Sequence, residues 1–151
     1  QKTNMPPEET GLLEPFTLGL AAAWRKRDAD ALPIAIAGLT QYQRAVREFL
    51  HGYDAWLTPV TPSPAPPIGE LAPDVAFETL LERVSPFAAY TPIHNAAGTP
   101  ALSIPAAMSA TGLPIGAQLA AAHGQEALLL SLAYQLEEAA PWRDSHPRMH
   151  A

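Results

Sequence analysis

The chain has 151 residues, 48% of them hydrophobic, a size and apolar content sufficient for one domain with a buried core. Its nine Lys and Arg stand against fifteen Asp and Glu, and a formal charge of -6 repels a phosphate backbone, which argues against nucleic-acid binding. With no cysteine there is no disulfide framework and no thiolate chemistry, and the longest apolar runs, such as Ala127 to Ala133, fall well short of the ~20 residues a membrane-spanning helix needs.

These features predict a soluble, cytoplasmic protein with no nucleic-acid and no membrane partner. Gln1 to Thr10 is polar and contains prolines, unlike a signal peptide, and the missing initiator Met points to a piece cut from a longer chain.

Leu12, Phe16, Leu20 and Ala23 recur at helical spacing, and Arg25, Lys26 and Arg27 place positive charge where a helix C-terminus favours it, so a first helix is expected here. Asp28 or Asp30 is suited to cap a second helix, with Pro33 tolerated in its first turn. Ile36, Leu39, Gln43, Val46 and Leu50 trace one face of that helix up to Gly52. Tyr53 to Thr58 reads as a buried strand. Five prolines between Pro59 and Pro67 forbid helix and central strand. The stretch 59–73 is expected to be an ordered loop inside one domain, because the segments on either side are too short to build cores of their own.

Asp74 is a candidate cap for a third helix carrying Phe77, Leu80, Leu81 and Val84. Pro86 permits a fourth, running to about Ala97 until Gly98 stops it, with Pro92 shortening or kinking it. Ala101 to Ala107 and Leu113 to Ala121, separated by turn chemistry at 109–112, predict a hairpin whose low charge suggests burial on both faces. Pro100 and Pro105 are expected to bracket the first of these strands. From Gln125 a final amphipathic helix places Leu128, Leu129, Leu132, Leu136 and Ala139 inside and ends at Pro141, leaving a frayed tail over 143–151.

A hydrolase that attacks a carbonyl needs a nucleophile, a base within reach and donors for the oxyanion. None of Ser63, Ser85, Ser103, Ser109, Ser131 and Ser145 sits in a glycine-rich turn that exposes its hydroxyl, and Ser103 is expected to be a core or cross-strand hydroxyl. Lys2 and Lys26 fall in the N-terminal stretch and at a helix end, where a solvated charge is the simpler role. The five histidines offer no helical i, i+4 pair, since Pro147 separates His146 from His150, so no metal site is predicted. No phosphate-cradling glycine motif occurs, and no cofactor is implied. His94 beside Asn95 stands out because it lies where a helix meets Gly98 and two strands, although a packed histidine is the plainer role. Glu137 and Glu138 read as a solvated face. Gln118, in a buried strand, must find a partner in neighbouring backbone or near Asn95, because leaving it unsatisfied costs about 1–3 kcal/mol.

Several blocks then occur in order: Tyr53-Asp54-Ala55-Trp56-Leu57-Thr58-Pro59, Thr91 to Pro105, Gly112 to Leu119, Glu126 to Leu129, and Pro141-Trp142. With Leu13-Glu14-Pro15-Phe16 ahead of the long helix, they resemble the C-terminal third of amidase-signature enzymes over nearly the whole chain. The resemblance implies an α/β fold with a mixed β-sheet flanked by helices, and hydrolysis of a carboxylic amide to acid and ammonia or amine. In that family a serine nucleophile, a second serine on a cis peptide bond and a lysine base do the chemistry from the N-terminal half. None of the three maps here, so no catalytic residue is assigned and the chain alone is expected to be inactive. The matching part of the family supplies one wall of the substrate cleft, which points to Ala88, Thr91 and His94 as substrate-binding residues for a small-molecule amide.

In the glutamine-using amidotransferases of that family, the position of Ala88 resembles one held by an acidic residue that binds the substrate's ammonium. Alanine cannot make that contact, which favours a general amidase. A sheet built to be completed elsewhere leaves open strands, so a homo-oligomer is expected. A non-catalytic binding module that kept the family sheet is the alternative, and an unrelated α/β domain would be indicated if 101–107 and 115–120 were not neighbouring strands.

Overall fold

The computed structural model describes residues 11–145, so Gln1 to Thr10, with Lys2, and the pair His146 and His150 lie outside the described residues. Its elements in chain order are α1 (Pro15–Arg25), α2 (Ala31–Leu50), β1 (Trp56–Pro59), α3 (Phe77–Val84), a 3-10 turn (Ser85–Ala88), α4 (Thr91–Ala97), β2 (Ala101–Met108), β3 (Pro114–Ala120) and α5 (Glu126–Ala139).

The three strands form one antiparallel sheet in the order β1-β3-β2, which makes β3 central. The hairpin expected from 101–121 is therefore present, and 101–107 and 115–120 are neighbours. Its turn is closed by Ser109, whose Oγ accepts from the Leu113 N–H at 2.9 Å, and by Gly112 at φ 80°. Pro105 does not bound β2 but lies within it, beside a register shift between Pro105 and Ala107. An edge strand tolerates this, because the missing N–H is not demanded by a second neighbour.

Residues alternate between the two faces of the sheet, and helices cover both. Ile104, Leu119, Ala121 and Leu129 form the core on one face, with Leu102, Ala117, Leu132 and Trp142 packed around it, so α5 lies there. On the other face Trp56 stands edge-on to Phe49 of α2, with centroids 5.1 Å apart, and to His94 of α4 at 5.8 Å. Burial on both faces holds for Gln118, Leu119 and Ala120, whereas β2 is exposed over most of its length.

Local details depart from the sequence expectations in instructive ways. Leu12 precedes α1, and Leu20 and Ala23 are exposed; the packed side is Phe16 and Gly19 against Phe77, with the Phe16 and Phe77 rings 5.5 Å apart. Asp30 is the N-cap of α2 and makes no side-chain cap bond, and α3 is entered from Ala76 rather than Asp74. The expected fourth helix is divided into the 3-10 turn and α4, because Pro92 suits only the first turn of a helix. Along α2 the stripe is half covered: Leu50 is buried, Gln43 and Val46 are partly buried, and Ile36 and Leu39 are exposed. In α5, Leu136 and Ala139 are likewise exposed, while Glu137 is half-buried. No helix among the described residues is long and apolar enough to cross a membrane.

The core assignment is open to a direct check. Leu129, 2% exposed, and Leu130, 55% exposed, are chemically identical neighbours on α5. Leu129→Ala is expected to cost roughly 2–5 kcal/mol of stability and Leu130→Ala less than about 1 kcal/mol. Urea unfolding of both variants measures the difference, and equal costs would place the core elsewhere.

Candidate functional site

Beyond Pro59, the chain leaving β1 continues its pairing with β3 for one more residue. The Val60 N–H donates to the Gly116 carbonyl at 3.3 Å. Gly116 has to be small here: a Cβ on it would lie 2.9 Å from Val60 Cγ2 and 3.3 Å from Ser103 Oγ. Next to this pair lies an open groove of about 680 Å³, whose walls include Val60, Pro66, Phe87, Ser103 and Ile115.

The lining side chains are apolar apart from the hydroxyls of Thr61 and Ser103, and among the described residues no Lys, Arg, His, Asp or Glu contributes to it. Thr61 already donates its hydroxyl to the Ser63 carbonyl at 2.8 Å. Ser103, expected in the core or across strands, is exposed on the groove wall, with no base among the described residues that line it. Such a surface is chemically able to seat and orient an uncharged group.

None of the residues singled out from the sequence as substrate-binding is among those that line this groove. Ala88 ends the 3-10 turn and is exposed, adjacent to the groove residue Phe87. Thr91 opens α4 and is half-buried. His94 is 4% exposed, enclosed by Trp56 and by Thr99, whose Oγ1 lies 2.9 Å from Nδ1. Its Nε2 is buried with no hydrogen-bond partner among the described residues, and burial pushes the imidazole below the ordinary histidine value. Gln118 finds neither backbone nor Asn95: its Nε2 donates to Thr58 Oγ1 at 3.3 Å across the β1–β3 pair, while Asn95 is exposed.

The C-terminal end of α4 is held from several sides. Gly98 takes φ 67°, the left-handed conformation expected from its position, and lets the Gly98 and Thr99 N–H groups both return to the His94 carbonyl, at 2.8 and 3.2 Å. The last two carbonyls of the helix accept from α2: Gln43 Nε2 reaches Ala96 O at 2.7 Å, and Arg47 reaches Ala97 O from Nε at 3.3 Å and from Nη2 at 3.2 Å. Periodicity marks Gln43 as a face residue but gives no hint of a partner 53 positions away.

Comparison with known proteins adds the family. Residues 9–130 match the family model described as Amidase. The chain belongs to the amidase family. A Mycobacterium tuberculosis protein with the provisional name amidase AmiC is 45% identical over 134 residues, covering 89% of this chain and 28% of the relative. A 6-aminohexanoate-cyclic-dimer hydrolase of Paenarthrobacter ureafaciens is 42% identical over 106 residues, covering 65% of this chain and 21% of that protein. Among solved structures, one of 6-aminohexanoate cyclic dimer hydrolase superposes with a TM-score of 0.80 at 29% identity, over 95% of this chain and 31% of its own. A glutamyl-tRNA(Gln) amidotransferase component from Thermotoga maritima gives 0.63 at 28% identity, over 83% of this chain and 25% of its own. The amidase chain thus spans little more than a quarter of the length of its mycobacterial relatives.

The buried imidazole makes a pH prediction with a definite sign. Folding lowers the proton affinity of His94 from its ordinary value of 6.5, so as pH falls below that value the unfolded chain gains a proton that the folded chain resists. Stability is expected to fall on acidification from about pH 6.5 and to be flat in this respect above it. His94→Gln, which does not titrate, should lose less stability than the parent between about pH 7 and about pH 5, as read by urea unfolding at each pH. Identical slopes for the two proteins would show that His94 is not held neutral by folding.

Proposed function

We propose that this chain is the part of an amidase that completes its sheet and shapes the substrate cleft, while the serine nucleophile, the second serine and the lysine base come from sequence outside it. The reaction would be attack of a serine oxygen on a carboxylic amide, loss of ammonia or amine with a proton from the lysine relay, and release of the acid by water. One observation carries this assignment: the groove beside Phe87 has hydroxyls and apolar atoms and no titratable side chain, in a chain matched to the Amidase family over 9–130. It has the makings of a binding wall and none of an engine.

Ala88 and Thr91, on the segment that follows Phe87, extend that wall, and His94 supports it from behind. Alanine at 88 leaves no carboxylate for a substrate ammonium, so the preferred amide is one without an amine at that point. The whole protein is expected to hydrolyse neutral amides faster than amine-bearing ones of equal size. The isolated chain should hydrolyse neither, and mixing or co-expressing it with the remaining polypeptide should restore turnover, followed as ammonia or amine release. A whole protein inert towards a broad amide panel and unlabelled by a serine-directed fluorophosphonate would refute the assignment in favour of a binding module.

We also place the protein in the cytoplasm, supported by its cysteine-free composition and testable by fractionation of cells expressing it. Leu32, Ile36 and Leu39 prolong the stripe of α2 into solvent, and β2 is an open edge, which together favour self-association. Light scattering on the purified chain should report a dimer or larger species, and a monodisperse monomer would contradict this.

A further inference from the structure

We infer that Gln43 and Arg47, one turn apart on α2, are positioning residues that fix α4 and, through it, the Ala88 to Thr91 wall of the amide site; this rests on the amidase function proposed above. A seven-residue helix has almost no stability of its own, so its place is set by whatever fastens it. The final carbonyls of any helix lack partners inside it. In α4 the His94 carbonyl is answered by the backbone of Gly98 and Thr99, whereas Ala96 O and Ala97 O are answered by side chains from α2.

Those two donors are suited to define a position. Gln43 and Arg47 lie at i and i+4 on a twenty-residue helix, so they act from one face and at adjacent levels. The planar guanidinium aims two N–H groups at a single oxygen, which constrains direction as well as distance, and its charge complements a helix C-terminus. His94 against Trp56 holds the flank of α4, but a ring contact allows sliding that hydrogen bonds of this geometry do not. Because α4 begins at Thr91 and follows Ser85–Ala88 by two residues, any shift of the helix is passed directly to the wall. Misplacement by about 1 Å is enough to cost up to about 100-fold in turnover efficiency.

The test uses the full-length enzyme carrying Arg47→Met, Gln43→Glu or Arg47→Lys. Michaelis constants and kcat are measured for two neutral amides that differ in bulk, alongside the rate of labelling by a small fluorophosphonate that reports the serine alone. Arg47→Met and Gln43→Glu are expected to raise KM by about tenfold, alter the preference between the two amides, and leave kcat and labelling within about twofold. Arg47→Lys, which keeps a cationic donor, should recover part of the KM. Parallel loss of labelling, kcat and thermal stability would assign the pair a purely structural role and overturn the inference. Wild-type kinetics in all three variants would overturn it equally, while the proposed function would stand. A wild-type enzyme that neither hydrolyses amides nor labels would overturn the proposed function and this inference together.

Discussion

Everything in this fold hangs on β3, the strand hydrogen-bonded on both sides. Its alternation assigns Leu119 to the α5 core and Gly116, Gln118 and Ala120 to the opposite face. On that face Ala120 lies beside Trp56, whose ring receives His94 and thereby seats α4. Gln118 ties β3 to Thr58, and Gly116 leaves the space that the Val60 side chain occupies. A slip of one residue in register would exchange the two sets, sending Gln118 into the α5 core and a leucine under α4.

The hairpin is legible in the sequence because its strands, its turn and its glycine agree with one another at short range. What the sequence does not reveal is mostly long-range or conformational. Asp30 has the right side chain for a cap but sits at φ -89°, ψ -3°, whereas capping through the side chain goes with an extended backbone. Ala76 has the extended backbone and no side-chain oxygen. Amphipathic spacing likewise reports which residues favour burial, not what is there to bury them: Ile36, Leu39 and Leu136 obey the pattern and are exposed.

The same distinction governs the candidate site. Family resemblance points to Ala88, Thr91 and His94, of which Ala88 ends the 3-10 turn, Thr91 opens α4 and His94 is buried within it. The groove is made by Val60, Pro66, Ser103 and Gly116, residues from a loop and two strands that only the folded chain brings together. Gly116 is the available clue, since a glycine inside a buried strand marks a close approach by another part of the backbone or a side chain. The prolines after β1 announce a non-helical segment on their own, but only the folded chain shows that Ala65 and Pro66 share a groove with Phe87 and Ser103.

Under the proposed function, the chemistry of this wall limits what it is able to influence. Accelerating amide hydrolysis requires groups that meet the charge developing on oxygen and nitrogen, and dipoles or charges aimed at those atoms are the largest source of such stabilisation. The groove presents two hydroxyls amid carbon and no ionisable group. Contacts of that kind hold substrate and transition state about equally, so they act on affinity and on the choice of amide and leave the chemical step to other atoms. The anchoring of α4 by Gln43 and Arg47 fits the same division, because a wall that selects by shape is useful only if it is held in one place. Placement by neutral and cationic donors on backbone oxygens achieves this without putting a titratable group next to the bound amide.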